Sequence, residues 1–243
     1  IDGETIAVHA GDMFAGARPA GETIARADVK LLAPCRPSKI IALWNNFGEL
    51  AQKLGTTKPE HPLYLLKATS SLLGPGGAIR RPASYQGKIV YEGELAIVIG
   101  REIADADATA AASAIFGYTC TNDVTAADII QANPGFPQWV RAKSCDTFGV
   151  LGPVIATGID PLASRVRTVL NGAERQNYPL SDMFYKPAEI VAMISRDMTL
   201  LPGDVICCGT SVGVGVMKDA RNVVEVTIDG IGTLSNTFDQ AVA

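Results

Sequence analysis

The stretch Lys88-Ile89-Val90-Tyr91-Glu92-Gly93-Glu94-Leu95-Ala96-Ile97-Val98-Ile99 decides how this chain is read. Its β-branched and apolar residues predict a strand, and a strand points alternate side chains to opposite faces. Glu92 and Glu94 therefore share one face, while residues 95–99 carry the strand into a core. Two carboxylates beside a core strand repel one another, and burial adds a desolvation cost unless a cation neutralises them. Spacing alone leaves a plainer alternative open, a strand whose exposed end carries two solvated glutamates.

Working outward, residues 39–43 and 63–67 read as further strands. Between them, Phe47, Leu50, Ala51 and Leu54 share one face of a helix that Gly55 can close. Downstream, the Asp-rich turn at 105–107 opens an Ala-rich helix running to about Ala114. Pro187 suits the first position of a second helix, whose apolar face is Ile190, Val191 and Ile194 and which Pro202-Gly203 follows. Residues 150–155, 165–170, 205–208 and 223–228 are strand-like. Residues 1–35 show short strands and turns, with alternation over 5–9 and a turn-like run over 15–19. The expectation is an α+β, mainly β domain over 36–243 with a few peripheral helices, preceded by a small N-terminal appendage over 1–35. It lacks the regular strand-helix alternation of a doubly wound sheet.

With 243 residues, 47% of them hydrophobic and 19% charged, the chain can bury a substantial core. A net charge of -4 and no basic run longer than Arg80-Arg81 argue against nucleic acid as a partner. No apolar stretch approaches the roughly 18 residues of a membrane helix, and the start at Ile1 has no leader-like pattern. A cytoplasmic protein without a membrane partner is therefore expected. The five cysteines, Cys35, Cys120, Cys145, Cys207 and Cys208, are odd in number and form no C-x-x-C pair, which disfavours both a disulfide framework and a thiolate zinc site. Only His9 and His61 offer imidazole, so a metal site would draw on oxygen ligands.

The order of motifs extends this reading. Residues 91–100 are followed by Gly117-Tyr118-Thr119-Cys120-Thr121-Asn122-Asp123-Val124-Thr125 and by Lys143-Ser144-Cys145-Asp146-Thr147-Phe148. Pro202-Gly203-Asp204-Val205-Ile206 runs into Gly209-Thr210, Leu66-Lys67 precedes Ser70-Ser71-Leu72-Leu73-Gly74-Pro75, and Gly152-Pro153 follows the lysine segment. Over residues 30–236 this order resembles the fumarylacetoacetate hydrolase superfamily. The resemblance implies the family's mixed β-sandwich roll, with Glu92, Glu94 and Asp123 as ligands of Mg2+ or Mn2+. It further implies that Lys143 stabilises an anionic substrate near the metal, that Lys67 and Thr210 contact that substrate, and that the chain forms a homodimer or higher homo-oligomer. The glycine-rich run 209–215 has neither phosphate-loop nor dinucleotide spacing.

The implied substrate is a small 2-oxo acid or β-dicarbonyl compound, whose carboxylate and keto oxygen can chelate one ion that stabilises enolate charge. Hydrolytic members supply a His and a Glu from the pattern N-Y-x-x-H-A-x-E. Here Asn46-Phe47-Gly48-Glu49-Leu50-Ala51-Gln52-Lys53 puts Leu50 at the His position and Lys53 at the Glu position. Loss of a positioned base costs about 10²- to 10⁴-fold. Glu49 or His61 are the substitutes on offer, each with a plain alternative as a surface acid and a loop histidine. Many relatives also have Arg where Ala127 stands, which removes a carboxylate-binding cation. Family habit keeps acylpyruvase-type carbon-carbon hydrolysis as the leading activity, with decarboxylation or isomerisation of an unsaturated 2-oxo dicarboxylate nearly level. A non-catalytic oxo-acid binding protein is the alternative of another class.

Overall fold

The structure is a computed structural model and describes residue 1 and residues 3–240. An N-terminal ribbon of β1 (Thr5–Ala10) and β2 (Arg18–Ala25) comes first, followed by β3 (Ile40–Trp44), helix α1 (Gly48–Leu54) and β4 (Leu63–Lys67). Short strands β5 (Leu72–Leu73) and β6 (Ala78–Ile79) lead to β7 (Ile89–Tyr91) and β8 (Gly93–Ile99). Helix α2 (Ala108–Ala114) connects to β9 (Ile115–Asp123) and β10 (Thr125–Ala126), and then come helices α3 (Ala127–Ile130) and α4 (Trp139–Lys143). The remainder is β11 (Gly149–Ala156), β12 (Arg165–Leu170), β13 (Ala173–Pro179), helix α5 (Pro187–Asp197), β14 (Val205–Cys207), β15 (Gly215–Val216), β16 (Arg221–Ile228) and β17 (Gly232–Asp239).

A mixed seven-stranded sheet, ordered β4-β3-β14-β8-β9-β11-β5, and a five-stranded sheet, β13-β12-β16-β17-β6, form a mainly β sandwich roll with peripheral helices. Strand alternation sorts the apolar residues of β8. Leu95, Ile97 and Ile99 join the main core with Val166, Val226 and Leu234 of the smaller sheet, whereas Ala96 and Val98 pack with Ile40, Leu65 and Val205 on the opposite face. Both expected helix starts are present: Asp107 caps α2 by accepting from the Ala110 N–H, and Pro187 opens α5. Leu54, expected on the apolar face of α1, is instead exposed where Gly55 turns left-handed and ends the helix.

The strand expected to run unbroken through 88–99 is two strands in two sheets. β7 pairs with β10 and β15, β8 pairs with β9 and β14, and Glu92 stands at the break. Side chains supply the main-chain bonds there: Asn122 Oδ1 accepts from the Glu92 N–H and Gln176 Oε1 from the Gly93 N–H. A Cβ at position 93 would collide with Thr168 Oγ1, so glycine is required for the close approach of β12.

One buried carboxylate fastens the start of β3 to the turn before β14. Asp204 accepts from the Ser38 and Lys39 N–H groups, the Ser38 hydroxyl and the Leu201 N–H, and it pairs with Lys39 Nζ at 2.5 Å. Asp204→Asn keeps the shape but turns an amide donor toward donors. It is expected to cost about 3 kcal/mol, read as a lowered urea midpoint with an unchanged slope.

Candidate metal centre

Register brings the acidic and basic groups together. Residues directly opposite on neighbouring strands share a face, and Glu94 lies opposite Thr121, two residues from Asp123. Along the same sheet Val98 faces Val205, Val205 faces Ile40, and Ile40 faces Lys67. Glu94, Asp123 and Lys67 are therefore on one face, and Lys143 reaches them from the end of α4. That helix is seated by Trp139, whose ring lies 5.8 Å from that of Trp44.

One carboxylate oxygen from each of Glu92, Glu94 and Asp123 lies within 4.8 Å of the other two. Lys143 Nζ donates to Asp123 Oδ2 at 2.5 Å, to Glu92 Oε2 at 2.9 Å and to Thr125 Oγ1 at 2.8 Å. Lys67 Nζ donates to Asp123 Oδ1 and to the Phe148 carbonyl. Glu94 Oε2 accepts from the Gly209 N–H at 2.8 Å, whereas its buried Oε1 has no hydrogen-bond partner among the described residues. Gly209 sits at φ +88°, a conformation that suits glycine and aims its N–H at this carboxylate.

Burial pushes the Glu94 carboxyl well above the usual range, and the charges of Asp123 and Glu92 raise it further against the pull of Lys143 and the Gly209 N–H. Burial also works to raise Asp123, but the charges and hydrogen bonds of Lys143 and Lys67 outweigh it and hold Asp123 below its usual value. Burial disfavours charge on Lys143, yet Asp123, Glu92 and Glu94 more than compensate and raise its pKa. With these carboxylates ionised around it, Lys143 is held as an ammonium that donates to Asp123 and Glu92.

The residues fit a divalent hard ion. The donors are oxygens, they converge, and the orphaned Glu94 Oε1 is a buried acceptor that a cation would satisfy. With Glu92, Glu94 and Asp123 ionised, the two lysines leave one net negative charge, which a divalent ion would convert to one net positive. The cluster opens toward Glu92, whose side chain is 17% exposed against 1% for Asp123. A groove of about 660 Å³ past Tyr91, Arg175, Gly213 and Lys218 is lined by none of these carboxylates or buried lysines.

Thr210 lies beside the centre: its hydroxyl donates to the Gly93 carbonyl at 3.0 Å and accepts from Gln176 Nε2 at 2.8 Å. Glu49 is not brought into the cluster. It is exposed in the first turn of α1, where its N–H donates to Asp182 Oδ2 at 3.0 Å. His61 is likewise on the surface, 74% exposed. Thr125, Asn122, Gln176 and Tyr178 were not singled out from sequence. Thr125 Oγ1 lies 2.8 Å from Glu92 Oε1, and Tyr178 Oη donates to the Gly93 carbonyl at 2.6 Å. Residues 174–178 carry no alternation of apolar and polar types that would have marked them; the strand itself turns Gln176 and Tyr178 inward together.

The fumarylacetoacetate (FAA) hydrolase C-terminal family matches residues 39–239, and the Rv2993c-like N-terminal family matches residues 1–34. The chain belongs to the fumarylacetoacetate hydrolase superfamily. It is 36% identical over 222 residues to oxaloacetate tautomerase YisK of Bacillus subtilis, covering 86% of this chain and 73% of that protein. The structure of a 2-hydroxyhepta-2,4-diene-1,7-dioate isomerase from Mycobacterium marinum superposes with a TM-score of 0.87 at 41% identity, covering 97% of this chain and 87% of the other. A fumarylpyruvate hydrolase from Pseudomonas aeruginosa, solved with Mn2+ and pyruvate, superposes with a TM-score of 0.77 at 25% identity over 84% of this chain and 90% of that one.

Proposed function

We propose that this chain is a divalent-metal-dependent isomerase that interconverts keto and enol forms of a small 2-oxo diacid. The observation that carries this reading is the pairing of a three-carboxylate centre, flanked by two buried lysines, with an α1 that presents Leu50 and Lys53 where hydrolytic relatives place His and Glu. Glu92, Glu94 and Asp123 would hold Mg2+ or Mn2+. Bound there, the ion supplies Lewis-acid stabilisation of negative charge on the keto oxygen.

The chain's own residues do the rest. Lys143 and Lys67 keep Asp123 ionised and oriented, and the cationic Lys143 adds a donor for charge that develops on the substrate. The Thr210 turn, tied to the ligand strand, offers the contact for a substrate carboxylate. Keto-enol exchange activates no water as a nucleophile, so it does not require the water-activating role of the missing dyad. The proton leaves carbon for a base and one returns to oxygen, exchanged with solvent on the open Glu92 side of the centre. The names of two relatives, an oxaloacetate tautomerase and a dienedioate isomerase, both denote isomerisation of a diacid and support the same choice over hydrolysis.

A metal-supplemented panel of oxaloacetate, acylpyruvates and unsaturated oxo-diacids, with products identified by mass, tests this reading. The expected product is an isomer of unchanged mass, formed with Mn2+ or Mg2+ and lost on chelation. Released CO2, two shorter acids, or full turnover after thorough chelation would overturn it.

A further inference from the structure

Gln176 joins the two halves of the centre. It lies on β13, far from the ligand strand in sequence, and is 1% exposed. Its Oε1 accepts from the Gly93 N–H at 3.0 Å, at the residue between Glu92 and Glu94. Its Nε2 donates to Thr210 Oγ1 at 2.8 Å, to the Ser211 carbonyl at 3.2 Å and to the Val212 carbonyl at 3.4 Å. The partners fix the orientation of the amide, because an N–H can only donate and a carbonyl can only accept. Thr210 then donates to the Gly93 carbonyl, which closes a ring: Gly93 N–H to Gln176, Gln176 to Thr210, Thr210 back to Gly93. Each member is both donor and acceptor, an arrangement in which the bonds reinforce one another.

We infer that Gln176 is a positioning residue, setting the Thr210 turn against the ligand strand so that one side chain governs both substrate contact and ion coordination. The inference rests on the metal-dependent reading of the site. Asparagine is a methylene too short for this span, and glutamate lacks the two N–H donors. The far side of the turn is closely backed: a Cβ at Gly213, at φ +93°, would collide with the Arg175 carbonyl, and Tyr91 Oη donates to the Gly213 carbonyl at 2.9 Å. Without Gln176 the near side of the turn loses its anchor while the far side stays held.

The test compares the full chain with Gln176→Met, Thr210→Val and the double variant, by steady-state kinetics with Mn2+ and by calorimetric Mn2+ titration. Gln176→Met is expected to raise KM about tenfold and to weaken Mn2+ binding about tenfold, in the range of outer partners of metal ligands. Because Gln176 acts through Thr210, the double variant is expected to show a KM close to that of Thr210→Val alone. Multiplied KM effects, or unchanged Mn2+ affinity in Gln176→Met, would overturn the inference. Amide hydrogen exchange over 209–213 in Gln176→Asn is a second readout, needing neither substrate nor the methionine variant. Faster exchange there with β16 unchanged is expected, and unchanged exchange in the turn would contradict the inference. If the wild-type chain isomerises nothing, the functional reading fails while the exchange result still judges Gln176.

Discussion

Glu94→Gln is expected to abolish metal-dependent turnover while raising the melting temperature of the metal-free chain. The two effects have one cause. Glu94 is fully buried, its Oε1 lacks a partner, and burial together with Asp123 and Glu92 raises its pKa. A carboxyl whose folded pKa lies above its unfolded value binds more protons in the folded state. Its contribution to stability therefore falls as pH rises from the unfolded value, about 4.3, through the folded one. Near neutrality the ionisable group is a liability without a cation, and glutamine removes it. For a chain of this size each kcal/mol corresponds to roughly 2–4 °C. In chelator the variant should melt higher than the wild type, by a margin that widens from pH 5 to pH 7, and Mn2+ should stabilise only the wild type. A variant that melts lower in chelator at pH 7, or that still gains stability from Mn2+, contradicts this account of Glu94.

Lys143→Met is expected to act in the opposite sense on stability. It removes the ammonium that bonds Glu92, Asp123 and Thr125 and leaves buried carboxylates uncompensated. Breaking a buried pair by deleting one partner typically costs about 3–5 kcal/mol. The depressed Asp123 contributes stability above the ordinary aspartate range that is lost as pH falls through its folded value, so the deficit of the variant should shrink in acid. Saturating Mn2+ should restore part of the lost melting temperature, because a divalent ion answers the same charges. Turnover should still fall about 10²- to 10³-fold, the scale of losing one preorganised donor to developing charge. A variant as stable as wild type in chelator would show that Lys143 does not carry the charge balance assigned to it.

The carboxylate cluster was legible from spacing only in part: Glu92 and Glu94, two apart, share a strand face, whereas Asp123 was joined to them by the resemblance of the surrounding motifs. Pairing of Lys67 with Asp123 was not readable from spacing. It depends on a register passed across β4, β3, β14, β8 and β9, which side-chain periodicity does not encode. The break at Glu92 was hidden for a similar reason, since Asn122 and Gln176 supply bonds that a continuous strand would take from backbone. Helices α3 and α4 span four and five residues, too few to show a 3.6-residue period, although α4 delivers Lys143. The mainly β character was accessible from many short apolar strands separated by Gly and Pro turns, and the sandwich roll from the family resemblance. The small hairpin strand β13, polar on its exposed side, was not, and it carries Gln176 and Tyr178.

Anomalous diffraction from crystals of the wild-type chain soaked in Mn2+ tests the central claim most directly. One strong peak per chain among the carboxylates of Glu92, Glu94 and Asp123, absent from Glu94→Gln crystals treated alike, is the predicted result. A fully occupied peak elsewhere with none at these carboxylates, or a peak undiminished in Glu94→Gln, would contradict it.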